Sequence, residues 1–136
     1  MKGPILYAED DLDDQELLLI HLKRAGNPPA LVVARNGLEA FEHLQKALRG
    51  EVPLPALVLA DIKMPKMNGL ELLARVRGNR LLADIPFALM TSSADRRDQD
   101  EAARLGADLY LTKPSSVAGY DEVLLRLGTL LETPPA

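Results

Sequence analysis

Five side chains in this sequence suit phosphate and divalent-cation chemistry, and each follows a short apolar run. Ile5–Ala8 leads into Glu9-Asp10, Leu57–Ala60 into Asp61, Phe87–Met90 into Thr91, and Leu109–Thr112 into Lys113. A buried parallel strand reads as an unbroken apolar run, and ligands of open α/β sheets gather beyond the carboxyl ends of the strands. Three carboxylates, a hydroxyl and an ammonium are therefore expected along one sheet edge. Clustered carboxylates raise one another's pKa. A hard divalent cation relieves that repulsion, and carboxylate, carbonyl and water oxygens suit Mg²⁺ or Mn²⁺. With such an ion and Lys113 neutralising the equatorial oxygens, and Thr91 donating a hydrogen bond, Asp61 can attack a phosphoryl group and become an aspartyl phosphate.

Those side chains need a scaffold, and the chain alternates strand-like and helix-like segments from end to end. After strand Ile5–Ala8 the spacing predicts a helix over Asp13–Arg24, stopped by Ala25-Gly26-Asn27-Pro28-Pro29. Leu31–Ala34 is the second strand, and Asn36-Gly37 opens a helix with Ala40, Phe41, Leu44 and Leu48 on one face. Strands Leu57–Ala60, Phe87–Met90 and Leu109–Thr112 then alternate with helices over Leu70–Val76, Arg96–Leu105 and Val117–Leu131. Five strands alternating with five helices predict an α/β domain whose parallel sheet is covered on both faces, since right-handed crossovers put the helices there.

Composition narrows the classes further. A length of 136 residues matches one domain, and 47% hydrophobic residues with 4% aromatics imply an aliphatic core. The net charge is −4 without a basic run, which argues against a nucleic-acid partner held through phosphates. Without cysteine there are no disulfides, thiolate ligands or cysteine nucleophiles. Met1-Lys2-Gly3-Pro4 enters the first strand with no signal-peptide pattern, and no apolar stretch reaches the ~20 residues of a membrane span. No membrane partner and a cytoplasmic location are the expectations.

The motifs in order, Glu9-Asp10, then Asp61 within LVLADIKMPKMNGLELL, Thr91 after IPFALM, and Lys113-Pro114 after GADLYLT, resemble the receiver domain of two-component response regulators. The resemblance spans almost the whole chain and rests on five elements together. It implies a (βα)5 doubly wound, flavodoxin-like and CheY-like fold with sheet order 2-1-3-4-5. It makes Asp61 the phosphoacceptor and assigns the metal to Asp10, Asp61, the Lys63 backbone carbonyl and Glu9. Thr91 becomes the switch hydroxyl, Lys113 the phosphate-binding ammonium, and Tyr110 the aromatic that turns inward on activation. The implied phosphodonor is a sensor histidine kinase or a histidine phosphotransfer protein. Residues 1–132 are expected to form the receiver and 133–136 a tail, with no output domain, so output is expected through a phosphorylation-dependent surface toward a downstream protein. The Arg77–Ile85 segment and the YDEVLLRLGTLL end are similar to single-domain regulators paired with bacteriophytochrome kinases, and homodimerisation is the expectation that this similarity implies.

Simpler roles compete for some of these residues. Asp13 and Asp14 suit a solvated helix start, with Asp13 as the cap and Glu16 completing a capping box. His21 and His43 are assigned no ligand role, and Lys113 before Pro114 is held extended, where a cis peptide is admissible. The chain also departs from the commonest receiver pattern. Ser115-Ser116 stands where an aromatic is usual, and Glu9 where an aspartate is usual. Lys63 and Ser93, two residues beyond Asp61 and Thr91, occupy positions that influence water attack in this family, so slow self-dephosphorylation is expected. A phosphatase or phosphotransferase of the haloacid-dehalogenase type needs a carboxylate two residues after its nucleophile, where Lys63 stands, and the protein is expected not to be a conventional enzyme. A phosphorylation-independent adaptor is the remaining alternative.

Overall fold

The computed structural model describes residues 3–26, 28–92 and 95–132. Its elements are β1 Ile5–Ala8, α1 Leu12–Arg24, β2 Leu31–Ala34, α2 Gly37–Leu48, β3 Leu57–Ala60, α3 Gly69–Arg77, β4 Phe87–Thr91, α4 Arg96–Leu105, β5 Leu109–Thr112 and α5 Val117–Glu132. β1, β3 and β4 are buried at every residue, which is why they read as unbroken apolar runs. β2 and β5 are the edge strands and are only partly buried.

All pairings are parallel and the order is β2-β1-β3-β4-β5, as the resemblance implied. The helices divide between the two faces. Leu18 and Leu22 of α1 and Val123 and Leu127 of α5 pack with Tyr7, Leu59 and Leu111 on one side. Ala40 and Leu44 of α2, Leu72, Leu73 and Val76 of α3, and Ala102 of α4 pack with Leu6, Val58 and Leu89 on the other. Because strand side chains alternate, each strand-end residue inherits a side. Glu9, Asp61 and Lys113 continue the parity of Tyr7, Leu59 and Leu111 toward α1 and α5, whereas Thr91 continues that of Leu89. Register does the rest, since Ala8 lies opposite both Ala34 and Ala60, which brings Glu9 and Asp61 level.

Four local expectations need correction. The α1 cap is Asp11, whose carboxylate accepts the N–H groups of Asp13 and Asp14, so Asp13 lies inside the first turn. Asp11 wins because its backbone is extended, the geometry a cap needs. Thr91 is the last residue of β4 and not the first beyond it. No peptide among the described residues is cis, Lys113–Pro114 included. The capping box belongs to α3, where Asn68 and Glu71 exchange side-chain and backbone bonds. No helix among the described residues is long and apolar enough to cross a membrane.

Candidate functional site

Glu9 follows β1, and its N–H donates to the Ala34 carbonyl at 2.9 Å, which extends the ladder one residue past the strand. Asp61 is fixed the same way after β3, its N–H donating to the Ala8 carbonyl at 3.0 Å, and Lys113 after β5, its N–H donating to the Thr91 carbonyl at 2.9 Å. The functional side chains are thus mounted on sheet backbone. The loop beyond Asp61 is pinned by the Gly69 N–H donating to Ile62 and the Gly37 N–H donating to Met67. Both glycines permit this close approach: a Cβ on Gly69 would lie 2.2 Å from the Asp61 carbonyl oxygen, and one on Gly37 2.3 Å from that of Met67.

The acidic cluster surrounds one ammonium. Lys113 Nζ lies 2.8 Å from Asp61 Oδ2, 2.9 Å from Glu9 Oε1 and 2.7 Å from Asp14 Oδ2. Oxygens of Glu9, Asp10 and Asp61 all fall within 4.8 Å of one another. Asp61 is buried, and its other oxygen, Oδ1, accepts the Ile62 N–H at 2.7 Å. Glu9 is wholly buried: Oε1 also accepts from the Tyr7 hydroxyl at 3.3 Å and Oε2 from the Asp11 N–H at 3.1 Å, while the Gln15 amide holds its carbonyl at 2.6 Å. Asp10 is exposed.

Burial pushes the Glu9 carboxyl up to about 7, against the opposing pull of hydrogen bonds from Lys113 and the Asp11 N–H. Burial also works against the Lys113 charge, but hydrogen bonds to Asp14, Asp61 and Glu9 outweigh it and hold the ammonium above the ordinary lysine range. The Tyr7 phenol is raised by burial and by the neighbouring Glu9 charge, so it donates to Glu9 as a neutral hydroxyl.

The other predicted residues lie around this cluster. Thr91 is buried at the end of β4, two strands from β1 and beside Lys113 in the β4–β5 ladder. Tyr110 is half-buried against the α2–α4 core, its phenol raised by burial and by Asp98, Asp95 and Asp61. Lys63 is exposed on a groove of about 480 Å³ that opens beside Asp10 and is shared with Ile62, Met64, Asn68 and Asp98. Ser93 lies outside the described residues. Sequence reasoning missed two participants, Asp14 and Tyr7. Asp14 shares an i, i+4, i+7 stripe with the buried Leu18 and His21, a spacing that turns it toward the sheet but does not name Lys113 as its partner. Tyr7 precedes Glu9 by two residues on a strand, the spacing of one face.

The architecture agrees with known proteins. Residues 5–123 match the family described as response regulator receiver domain. The chain is 36% identical over 112 residues to the response regulator Rcp1 of Synechocystis sp. (strain ATCC 27184 / PCC 6803 / Kazusa), covering 80% of this chain and 75% of that one. It is similar in structure to the Mn²⁺-bound form of Rcp1, with a TM-score of 0.86 at 32% identity over 98% of this chain and 99% of that one. The phosphorylated cyanobacterial phytochrome response regulator RcpA gives 0.87 at 26% identity, over 98% and 97% of the two chains. The bacteriophytochrome response regulator AtBRR gives 0.77 at 34% identity, over 94% of each.

Proposed function

This chain belongs to the response regulator receiver domain family, and from that premise we propose that it accepts a phosphoryl group on Asp61 and signals through a surface that changes with phosphorylation. The supporting observation is Asp61 Oδ2 held 2.8 Å from a half-buried ammonium, with oxygens of Glu9 and Asp10 within 4.8 Å of its carboxylate. The donor set is all oxygen and its negative charge exceeds the one ammonium present, which fits a hard divalent cation, Mg²⁺ or Mn²⁺. Asp10, Asp61 and the Lys63 carbonyl are its proposed protein ligands, with Glu9 as the second acidic partner. When bound, such an ion screens the carboxylates from one another and neutralises phosphoryl oxygens.

The chemistry we propose for the chain's own groups joins the positions of Asp61, Thr91 and Lys113 to the roles the receiver resemblance implies. An Asp61 oxygen attacks phosphorus; the P–O bond forms as the P–N bond of a phosphohistidine breaks, and the bonding pair leaves on the imidazole nitrogen. Lys113 stabilises charge on the transferred group, and Thr91 supplies a hydroxyl donor from the neighbouring strand. Tyr110 follows the Thr91 movement and alters the α4–β5 surface. Lys63 and Ser93 set the lifetime by governing how water reaches phosphorus, and Lys63 stands where a haloacid-dehalogenase-type hydrolase needs a carboxylate, which supports a phosphoacceptor over a turnover enzyme. A sensor histidine kinase or histidine phosphotransfer protein is the donor, and a downstream protein or a second copy of the chain receives the signal.

Incubation with Mg²⁺ and acetyl phosphate, followed by intact mass and size exclusion, tests this. Wild type gains one phosphoryl group and Asp61→Asn gains none. A shift in elution that accompanies the gain makes self-association the output. No gain from acetyl phosphate or from a phosphorylated kinase domain would overturn the assignment and leave an adaptor.

A further inference from the structure

Asp14 is the group in this site that strand-end chemistry does not account for. It lies on a helix, in the first turn of α1, and reaches a lysine 99 residues away in sequence, at 2.7 Å. That distance is the shortest of the three carboxylate contacts to Lys113. Nor is Asp14 the cap of the helix, because Asp11 accepts the first-turn N–H groups. Its helix is held firmly against the sheet. Leu18 and His21 of the same stripe are buried, and the His21 ring stacks on Tyr120 of α5 with centroids 4.5 Å apart. The Asp14 carboxylate is therefore a fixed point on the α1 side of the Lys113 ammonium.

An ammonium has three protons, and here three carboxylates take them. With Glu9 and Asp61 alone, the charge would be drawn onto the nucleophile itself. A third carboxylate pulls it back toward α1 and shares it. A phosphoryl group arriving on Asp61 replaces that residue's single negative charge with nearly two, and Lys113 must then exchange one carboxylate for a phosphoryl oxygen. The partner easiest to release is the one water can solvate. Asp14 is 26% exposed in its side chain, against 8% for Asp61 and 0% for Glu9. Building on the phosphoacceptor reading above, we infer that Asp14 is a positioning residue: it shares the Lys113 ammonium with the nucleophile before transfer and is the partner Lys113 gives up afterward. Phosphorylation thereby cuts a tie between α1 and the end of β5.

Two measurements on the full chain test this, with beryllofluoride and Mg²⁺ as the phosphoryl mimic. In wild type, the Asp14 carboxyl carbon resonance is expected to move to the position of a solvated aspartate when the mimic binds, while the Lys113 ammonium signal shifts but persists. This readout needs no variant. In kinetics with acetyl phosphate at saturating Mg²⁺, Asp14→Asn is expected to be phosphorylated ~10-fold more slowly, the scale of one charge-assisted hydrogen bond, with Asp14→Glu recovering part of the rate. Asp13→Asn removes the same charge from the same helical turn without touching Lys113, and is expected to stay within twofold of wild type. A wild type that is phosphorylated while Asp14 keeps its resonance, or an Asp14→Asn variant no slower than Asp13→Asn, would overturn the role of Asp14 and leave the phosphoacceptor assignment standing. A wild type that takes neither phosphoryl nor mimic would overturn both.

Discussion

At the scale of single residues, Glu9 shows what is at stake in burying a carboxylate beneath a strand end. Its carboxyl holds a proton up to about 7 in the folded protein, chiefly because it is buried, against an ordinary value of 4.5. Between those values the folded state keeps a proton that the unfolded chain releases. The stability this group contributes is therefore fully present below 4.5 and is lost as pH rises through 7. In EDTA, wild type is expected to lose stability relative to Glu9→Gln between pH 5 and pH 8, by an amount on the order of a few kcal/mol at most. Urea melts at both pH values check it. Parallel pH profiles for the two proteins would show that Glu9 titrates as it does in the unfolded chain. Tyr7 belongs to the same argument, because its buried hydroxyl gives Glu9 a donor that persists whether or not the lysine moves.

Elements decide how accurately such residues are held. The tightest constraint is Gly69, the first residue of α3, pressed against the carbonyl of Asp61. Gly69→Ala is expected to destabilise by about 1–3 kcal/mol through overpacking and to slow phosphorylation, because the backbone that must shift is that of the nucleophile. Gly128→Ala, in α5 with nothing within 4 Å of the added carbon, is expected to stabilise by about 0.5–1 kcal/mol. Urea unfolding of the two variants checks both signs, and equal effects would remove the steric argument. The ten elements were legible in the sequence because buried strands leave apolar runs and helices leave three- and four-residue spacing. Their ends were less so: Asp11 and Asp13 are chemically equivalent caps, and only backbone geometry separates them. The strand-end residues Glu9, Asp61, Thr91 and Lys113 could be read from position alone, whereas Asp14 could not. A first-turn aspartate ordinarily serves the helix dipole, and its pairing with Lys113 depends on how α1 lies across the sheet.

For the whole molecule, the sheet acts as a divider. Glu9, Asp61 and Lys113 share the side of α1 and α5, and the half-buried Tyr110 packs toward α2–α4, so a change at Asp61 can be felt on both faces. The fold also concentrates charge. A chain of net charge −4 gathers Glu9, Asp10, Asp14 and Asp61 around one lysine, an excess of negative charge that the unfolded chain does not have to confine. A divalent cation that binds only the folded arrangement must then stabilise it by mass action, by about 2.7 kcal/mol at a hundredfold excess over Kd. Mg²⁺ is accordingly expected to raise Tm by several degrees, and NaCl at equal ionic strength by much less, since a 1:1 salt screens the cluster without bridging its oxygens. Asp10→Asn sharpens the test. Asp10 is exposed, so its neutralisation relieves repulsion at little structural cost, and the metal-free Tm should hold or rise while the Mg²⁺ increment falls away. If Asp10→Asn kept the full increment, the cation would be binding elsewhere on the acidic surface, and Glu9, Asp14 and Asp61 would be serving the lysine alone.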